Sequence, residues 1–143
     1  MRHHPIFVLI FLIHLQLIAS LTPQEACKNF FMIYWKYLSL GDLGILHKDF
    51  KYLYSNGNDV TEIYKEGWKA DYGVEWNRKR YEEARNNSFW ETYWDHHVAQ
   101  FTPGGLLEQK RLSNNELKFK YLMISDSNVE GGYKLYKILD FRH

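Results

Sequence analysis

The sequence predicts an α+β domain, with N-terminal helices packed on one face of a curved antiparallel β-sheet. Three observations carry this. The chain has 143 residues, enough for one compact domain with its own core and too few for two ordinary ones. Apolar residues recur at helical spacing in segments between Thr22 and Ala84, with an extended stretch at Phe50 to Tyr54, and from Phe89 onward the period falls to two. Short turns separate the later segments, and short turns join antiparallel strands, because a parallel crossover needs about a dozen residues or more. Helices first and a strand meander last describe an α+β architecture.

The first twenty residues stand apart from the fold. Arg2 gives a positive start, Ile6 to Leu17 form an apolar core broken only by His14 and Gln16, and Ala19 and Ser20 are small. This pattern predicts a signal peptide over residues 1–20 and a secreted single domain over residues 21–143; an uncleaved N-terminal anchor is the alternative. The apolar stretch is shorter than the roughly 20 residues a spanning helix needs, so no membrane partner is expected after cleavage. Removing Arg2 and no acid leaves 17 basic and 17 acidic residues. A formally neutral chain has no general pull toward nucleic acid, which excludes that partner class. Arg78, Lys79 and Arg80 are followed at once by Glu82 and Glu83, as on a solvated helix face. Asn86-Asn87-Ser88 is an acceptor sequon for N-glycosylation, placed where a loop between a helix and a strand is expected.

Each element has a local reason. Thr22-Pro23-Gln24-Glu25 is a capping box with proline at the first helical position. Ala26, Phe30, Ile33, Tyr34 and Tyr37 then mark a wide apolar face that Gly41 ends. Asp42 is expected to cap a short second helix carrying Leu43, Ile45 and Leu46, with extended chain from Phe50 to Tyr54. Ser55-Asn56-Gly57-Asn58 is a turn. Asp59 and Glu62 open a third helix bearing Val60, Ile63, Tyr64 and Trp68, with a break near Asp71 and a further helical piece through Ala84. Strands are expected over Phe89–Phe101, Leu106–Leu112, Glu116–Ile124 and Tyr133–Phe141. Leu117, Phe119, Tyr121 and Met123 share one face opposite Lys118 and Lys120, so one side of the sheet is oily and the other wet.

The run Phe30…Tyr34…Tyr37-Leu38…Gly41-Asp42-Leu43…Leu46…Asp49-Phe50 and the closing Gly132-Tyr133-Lys134-Leu135-Tyr136-Lys137-Ile138 carry a resemblance. In order and spacing the chain from Thr22 to Phe141 resembles the nuclear transport factor 2-like superfamily, a cystatin-like α+β cone. The resemblance implies a sheet curled round a pocket that the long first helix roofs. Some members run acid–base chemistry there, whereas others are binding or dimerising scaffolds, so the fold does not select the function. Isomerase-like members use a buried carboxylate with a tyrosine and a protonated acid. That set has no residue-by-residue counterpart here.

Trp90-Glu91-Thr92-Tyr93-Trp94-Asp95-His96-His97 is the chemically richest stretch. On a strand, Asp95 and His97 would share a face as a polar pair fit for acid–base work, whereas His96 and His97 would point apart. His47, Asp49 and Glu91 could add metal ligands, but no HxxxH or HExxH spacing occurs, and neither a metal nor a cofactor is expected. Cys27 is in phase with Phe31, Tyr34 and Leu38 and reads as a buried thiol; an exposed one would invite an intermolecular disulfide. Trp35, Trp76 and Trp90 are candidates for exposed contact area. The reading that follows is a secreted, non-catalytic binding module. It holds a small apolar ligand in a pocket lined by Tyr34, Leu38, Tyr52, Trp94, Phe119 and Tyr121, with homodimerisation through the outer sheet face as an option. The alternative is a cofactor-independent isomerase or dehydratase using Asp95 with His97.

Overall fold

The computed structural model describes residues 21–143; the expected leader over residues 1–20 lies outside the described residues. Helix α1, Pro23–Ser39, opens on the expected capping box. The Glu25 amide donates to the Thr22 hydroxyl at 3.1 Å, and the Thr22 amide donates to the Glu25 carboxylate at 3.3 Å. The helix ends before Gly41, whose φ of +70° is the left-handed turn that glycine adopts without a Cβ penalty. One face of α1 is buried along its length by Cys27, Phe30, Phe31, Tyr34, Trp35 and Leu38. Burial pushes the Cys27 thiol up to about 12, so it stays protonated in the core.

Five strands follow: β1 Leu46–Tyr54, β2 His97–Phe101, β3 Leu107–Ser113, β4 Glu116–Ser125 and β5 Tyr133–Asp140. They form one open sheet in the order β1-β5-β4-β3-β2. From β2 to β5 the pairing is antiparallel, as the short turns require. The β3–β4 turn has both Asn114 (φ 51°) and Asn115 (φ 62°) in the left-handed region, the geometry a tight hairpin needs. The first strand departs from the expected antiparallel sheet. β1 pairs with β5 in parallel, Tyr52 opposite Ile138, so the sheet is mixed and its last strand sits inside it. No short turn joins β1 to β5, and most of the chain serves as their crossover.

Helices α2 (Thr61–Lys69) and α3 (Asp71–Ala84) follow β1, with the expected break falling at Ala70 in extended conformation. The Asp59 carboxylate accepts from the Thr61 amide at 2.9 Å, but as a turn one residue ahead of the N-cap, a position that Val60 holds with no side-chain bond. Gly73 owes its identity to this corner. A Cβ there would lie 2.1 Å from the Gly67 carbonyl oxygen and 3.0 Å from the Trp68 Cα. Among the described residues no helix is long and apolar enough to cross a membrane.

Three local expectations need correction. The short helix at Asp42 is absent: the Asp42 carboxylate accepts from the Gly44 amide, and Leu46 already begins β1. Sheet pairing wins because the buried Ile45 takes the Leu135 amide on its carbonyl at 2.9 Å. The proposed strand over Phe89–Phe101 is a helix, α4 (Asn87–Tyr93), followed by a turn and the short β2. Phe89, Trp90 and Tyr93 fit helical spacing, and the α4 turn lets all three rings meet Trp35 with centroids 5.8, 5.8 and 6.2 Å away. Trp35 and Trp90 are therefore buried rather than exposed contact area, and Trp90 donates to the Ala84 carbonyl at 2.8 Å. Trp76 alone of the three is exposed, at 58 %.

The inner sheet face carries Tyr52, Gln109, Phe119, Tyr121, Met123 and Ile138 toward the helices. The outer face is wet, with Glu108 beneath Lys110 and Lys120 at 3.7 and 3.8 Å. Alanine at an ordinary helical glycine gains up to about 1 kcal/mol. Gly73→Ala is instead expected to destabilise by about 1–3 kcal/mol through overpacking at the corner. Urea unfolding followed by circular dichroism checks this, and a raised midpoint would refute the close approach. Cys27 is expected to resist a thiol reagent in the native protein and to react on unfolding, as counted by mass spectrometry.

Candidate functional site: a two-chamber pocket between the helices and the sheet

Interiors ordinarily pack without voids larger than a water, but between α1 and the sheet the large rings leave a hole. An inner cavity of about 240 Å³ lies between the helices and the inner sheet face. Phe31, Tyr34 and Trp35 of α1 roof it, Tyr64 and Trp68 of α2 wall one side, and Trp76, Asn77 and Arg80 of α3 wall another. The sheet supplies Tyr52, His97, Gln109, Arg111, Phe119, Tyr121 and Ile138 as the floor, with Arg142 just past β5. An outer bowl of about 830 Å³ shares Arg80, Tyr93, His97 and Arg111 with it and extends to Asn86, Phe89, His96 and Ser113.

The rings are locked against one another. Tyr52 and Tyr64 stack at 3.7 Å and 5°, and Tyr93 and His97 stack at 3.7 Å and 2°. Phe31 meets Tyr121 edge-on at 5.5 Å. Burial raises the phenols of Tyr34 and Tyr93 well above the ordinary value and pushes Tyr121 up to about 12. These hydroxyls are therefore hydrogen-bonding groups rather than acids near neutral pH.

Arg80, Arg111, Arg142 and His97 are the charged or tautomeric side chains that line the cavity, and Asp140 stands behind Arg142. Asp140, fully buried, accepts from Tyr52 Oη at 2.9 Å and from Arg142 Nε and Nη2 at 3.0 and 2.9 Å. Burial pushes its carboxyl up, but the bonds from Arg142 and Tyr52 outweigh this and hold it below its ordinary value. Arg80 lies 5.2 Å from the Trp35 ring, 5.6 Å from Trp76 and 4.9 Å from Phe89, a cation enclosed by ring faces. Its Nε is buried and has no hydrogen-bond partner among the described residues; the same holds for Gln109 Nε2. Each such orphaned donor costs about 1–3 kcal/mol. His97 Nδ1 lies 2.7 Å from the Tyr93 carbonyl. A carbonyl only accepts, so Nδ1 carries the proton and Nε2 is the bare nitrogen.

Of the six pocket residues expected from sequence, Tyr34, Tyr52, Phe119 and Tyr121 meet at the cavity. Leu38 and Trp94 do not line it: Leu38 is fully buried in the core, and Trp94 sits at the end of α4 because that segment is helical. The Asp95–His97 pair also needs correction. Its shared face depended on a continuous strand, but Asp95 is exposed in the turn after α4 and His97 is buried on β2. His96 is likewise exposed before β2, while His47 and Asp49 lie on β1 and Glu91 on α4. No group of three or more metal-ligating side chains occurs among the described residues. Asn86 is exposed, but it caps α4 rather than sitting in a helix-to-strand loop.

The residues missed in the sequence are the arginines and Gln109. A signal for Arg80 was present: Gly73, Asn77, Arg80 and Ala84 fall on one helical stripe, and its other three members are buried. Arg111 and Gln109 alternate onto the oily face of β3, where only their neighbours across the sheet reveal a cavity. Comparison with known proteins adds nothing to this geometry: no family model, no curated protein and no solved structure matches the chain.

Burial pushes His97 down to about 4; the bond to Tyr93 opposes this, and the positive Arg111 and Arg80 reinforce it. In the unfolded chain an ordinary imidazole protonates near 6.5. Between those values the unfolded state binds more protons, so this contribution is complete above about pH 6.5 and is lost as pH falls toward 4. The loss amounts to at most about 3 kcal/mol. Denaturant midpoints from pH 7 to pH 4 are expected to fall more steeply for the native chain than for His97→Gln, and parallel curves would contradict a buried neutral imidazole.

Proposed function

We propose that the chain is a secreted, non-catalytic binding module of nuclear transport factor 2-like architecture. It holds one small, mostly apolar ligand in the inner cavity. The observation that carries this is the cavity itself, about 240 Å³ lined mainly by aromatic rings. A cavity of about 150 Å³ already holds a benzene molecule, so this one takes a single ring with a short substituent. Rigid ring walls suit binding because little side-chain freedom is lost when a ligand enters. The inner lining holds no carboxylate, and burial pushes its one imidazole, His97, down to about 4, which makes it a weak base at neutral pH and supports binding over acid–base turnover.

Secretion and glycosylation belong to the same reading. Asn86 is exposed on the rim of the outer bowl, and its Oδ1 accepts from the Ser88 amide and hydroxyl at 3.1 and 3.0 Å, leaving Nδ2 for a glycan. Expression of the full chain in a secreting eukaryotic host is expected to place protein without residues 1–20 in the medium. It is also expected to give one glycan that an amidase removes and that Asn86→Gln lacks. Retention in the cell with the leader intact would refute secretion.

Binding is read with 4-nitrotoluene, a single ring with short substituents that quenches tryptophan, on the secreted protein, because Trp35, Trp68 and Trp76 line the cavity. A saturable one-to-one curve is expected, weakened at least tenfold in Ile138→Phe, which fills the floor. A linear, unsaturable curve shared by both proteins would defeat the cavity as a binding site.

A further inference from the structure

We propose that the ligand is an anion, a small monocarboxylate whose apolar body lies among the rings while its carboxylate takes up the orphaned donors of Arg80 and Gln109. This rests on the inner cavity being the binding site.

Three observations point the same way. The inner lining holds three arginines and no carboxylate, although the mature chain as a whole is formally balanced. Only Arg142 is well neutralised, by Asp140. Arg80 reaches Glu83 at 3.9 Å through Nη1 alone, and among the described residues Arg111 has no ion-pair partner. Second, among the described residues the two buried side-chain atoms left without a partner are both N–H donors, Arg80 Nε and Gln109 Nε2, and both residues line this cavity. Gln109 is 1 % exposed, and Tyr93 Oη occupies its carbonyl at 3.0 Å, which leaves the amide nitrogen to seek an acceptor. Third, the arginines share one cavity: Arg111 and Arg142 lie 5.7 and 4.4 Å from the Phe119 ring on its floor, and Arg80 lines the wall.

A purely apolar ligand would leave both donors unpaired in a drier site than before, and a cation would meet uncompensated guanidinium charge. An uncharged acceptor would satisfy the donors but not the charge. A carboxylate does both, because its two oxygens offer about four acceptor sites and bonds to an ionised acceptor are the stronger kind. The volume sets the rest of the ligand: one ring or a short branched chain beside the head group.

The test is isothermal titration of the secreted, glycosylated full chain with 3-phenylpropionate, 3-phenylpropanamide and 3-phenylpropan-1-ol. The carboxylate is expected to bind at least tenfold more tightly than its amide isostere. Gln109→Glu keeps an acceptor for Tyr93 and replaces the orphaned donor with an acid, so it is expected to erase that preference. Arg80→Gln removes the guanidinium and is expected to do the same; Arg80→Lys, which keeps charge and stem without the Nε donor, stands in if that protein fails to fold. Equal affinity for all three probes overturns the anion while the cavity reading survives. A carboxylate preference untouched by every variant also overturns it, since the anion then sits elsewhere. Failure of all three probes to bind overturns the cavity reading and this inference together.

Discussion

The aromatic stripe of α1 against the inner sheet face is the interaction on which the other features depend. Phe30, Phe31, Tyr34 and Trp35 occupy successive positions of one helical face, and each ring meets others at centroid distances of 5.0–5.8 Å. Such rings bury much apolar area, but they pack only in stacked or edge-on arrangements. Beside Phe30 and Leu38 the fit is complete, and those residues are fully buried. Between them, beside Phe31, Tyr34 and Trp35, the rings roof a hole. Core and cavity are thus one packing problem, solved on one side of the stripe and left open on the other.

The floor of that hole is held by a second device at the end of β5. Asp140 receives Tyr52 from the neighbouring β1, while the backbone and guanidinium of Arg142 close on it from the chain just beyond. Its own carbonyl accepts from the Ser55 amide at 2.9 Å, so the same residue ties the exit of β1 to β5. A buried charge is tolerated only when its lone pairs are filled, and here four donors converge on one carboxylate. The knot explains how the parallel β1–β5 pair, made by segments far apart in sequence, is held in register. It also removes Arg142 from the set of guanidiniums free to meet a ligand, which leaves Arg80 and Arg111.

What was legible in the sequence is what local physics decides. The capping box at Thr22, the break at Ala70, the Ser113-Asn114-Asn115 turn and the oily face of β4 each follow from residues within a few positions of one another. The reading fails where distant partners decide. Phe89 to Phe101 is rich enough in aromatic and branched residues to satisfy either period, and only the presence of Trp35 across the core makes the helix the better burial. The short helix after Asp42 is good local chemistry that loses to the Leu135 amide, 90 residues from its partner Ile45. Within the pocket the aromatic lining could be read as oily positions facing a helix. The arginines could not, because Arg78-Lys79-Arg80 looks like a solvated run until α3 is docked and only its third member turns inward.

That third member shows how shape and charge become a single property of the site. A lone guanidinium beside a core is costly, and surface acids do little for it: Glu83 lies 3.9 Å from Arg80 Nη1. Ring faces supply what the acids do not, since Trp35, Trp76 and Phe89 present negative π surfaces within 5.6 Å of the cation. Ring faces stabilise charge but accept no conventional hydrogen bond in the plane of the guanidinium, so Nε remains a donor without an acceptor. The residues that make Arg80 tolerable in the fold are therefore the ones that leave it unsatisfied. Trp35 takes part in both halves of this arrangement, as a roof ring fixed by α1 and as a face under the cation. Moving that ring would alter the outline of the cavity and its electrostatics at once, so neither can be changed while the other stays fixed.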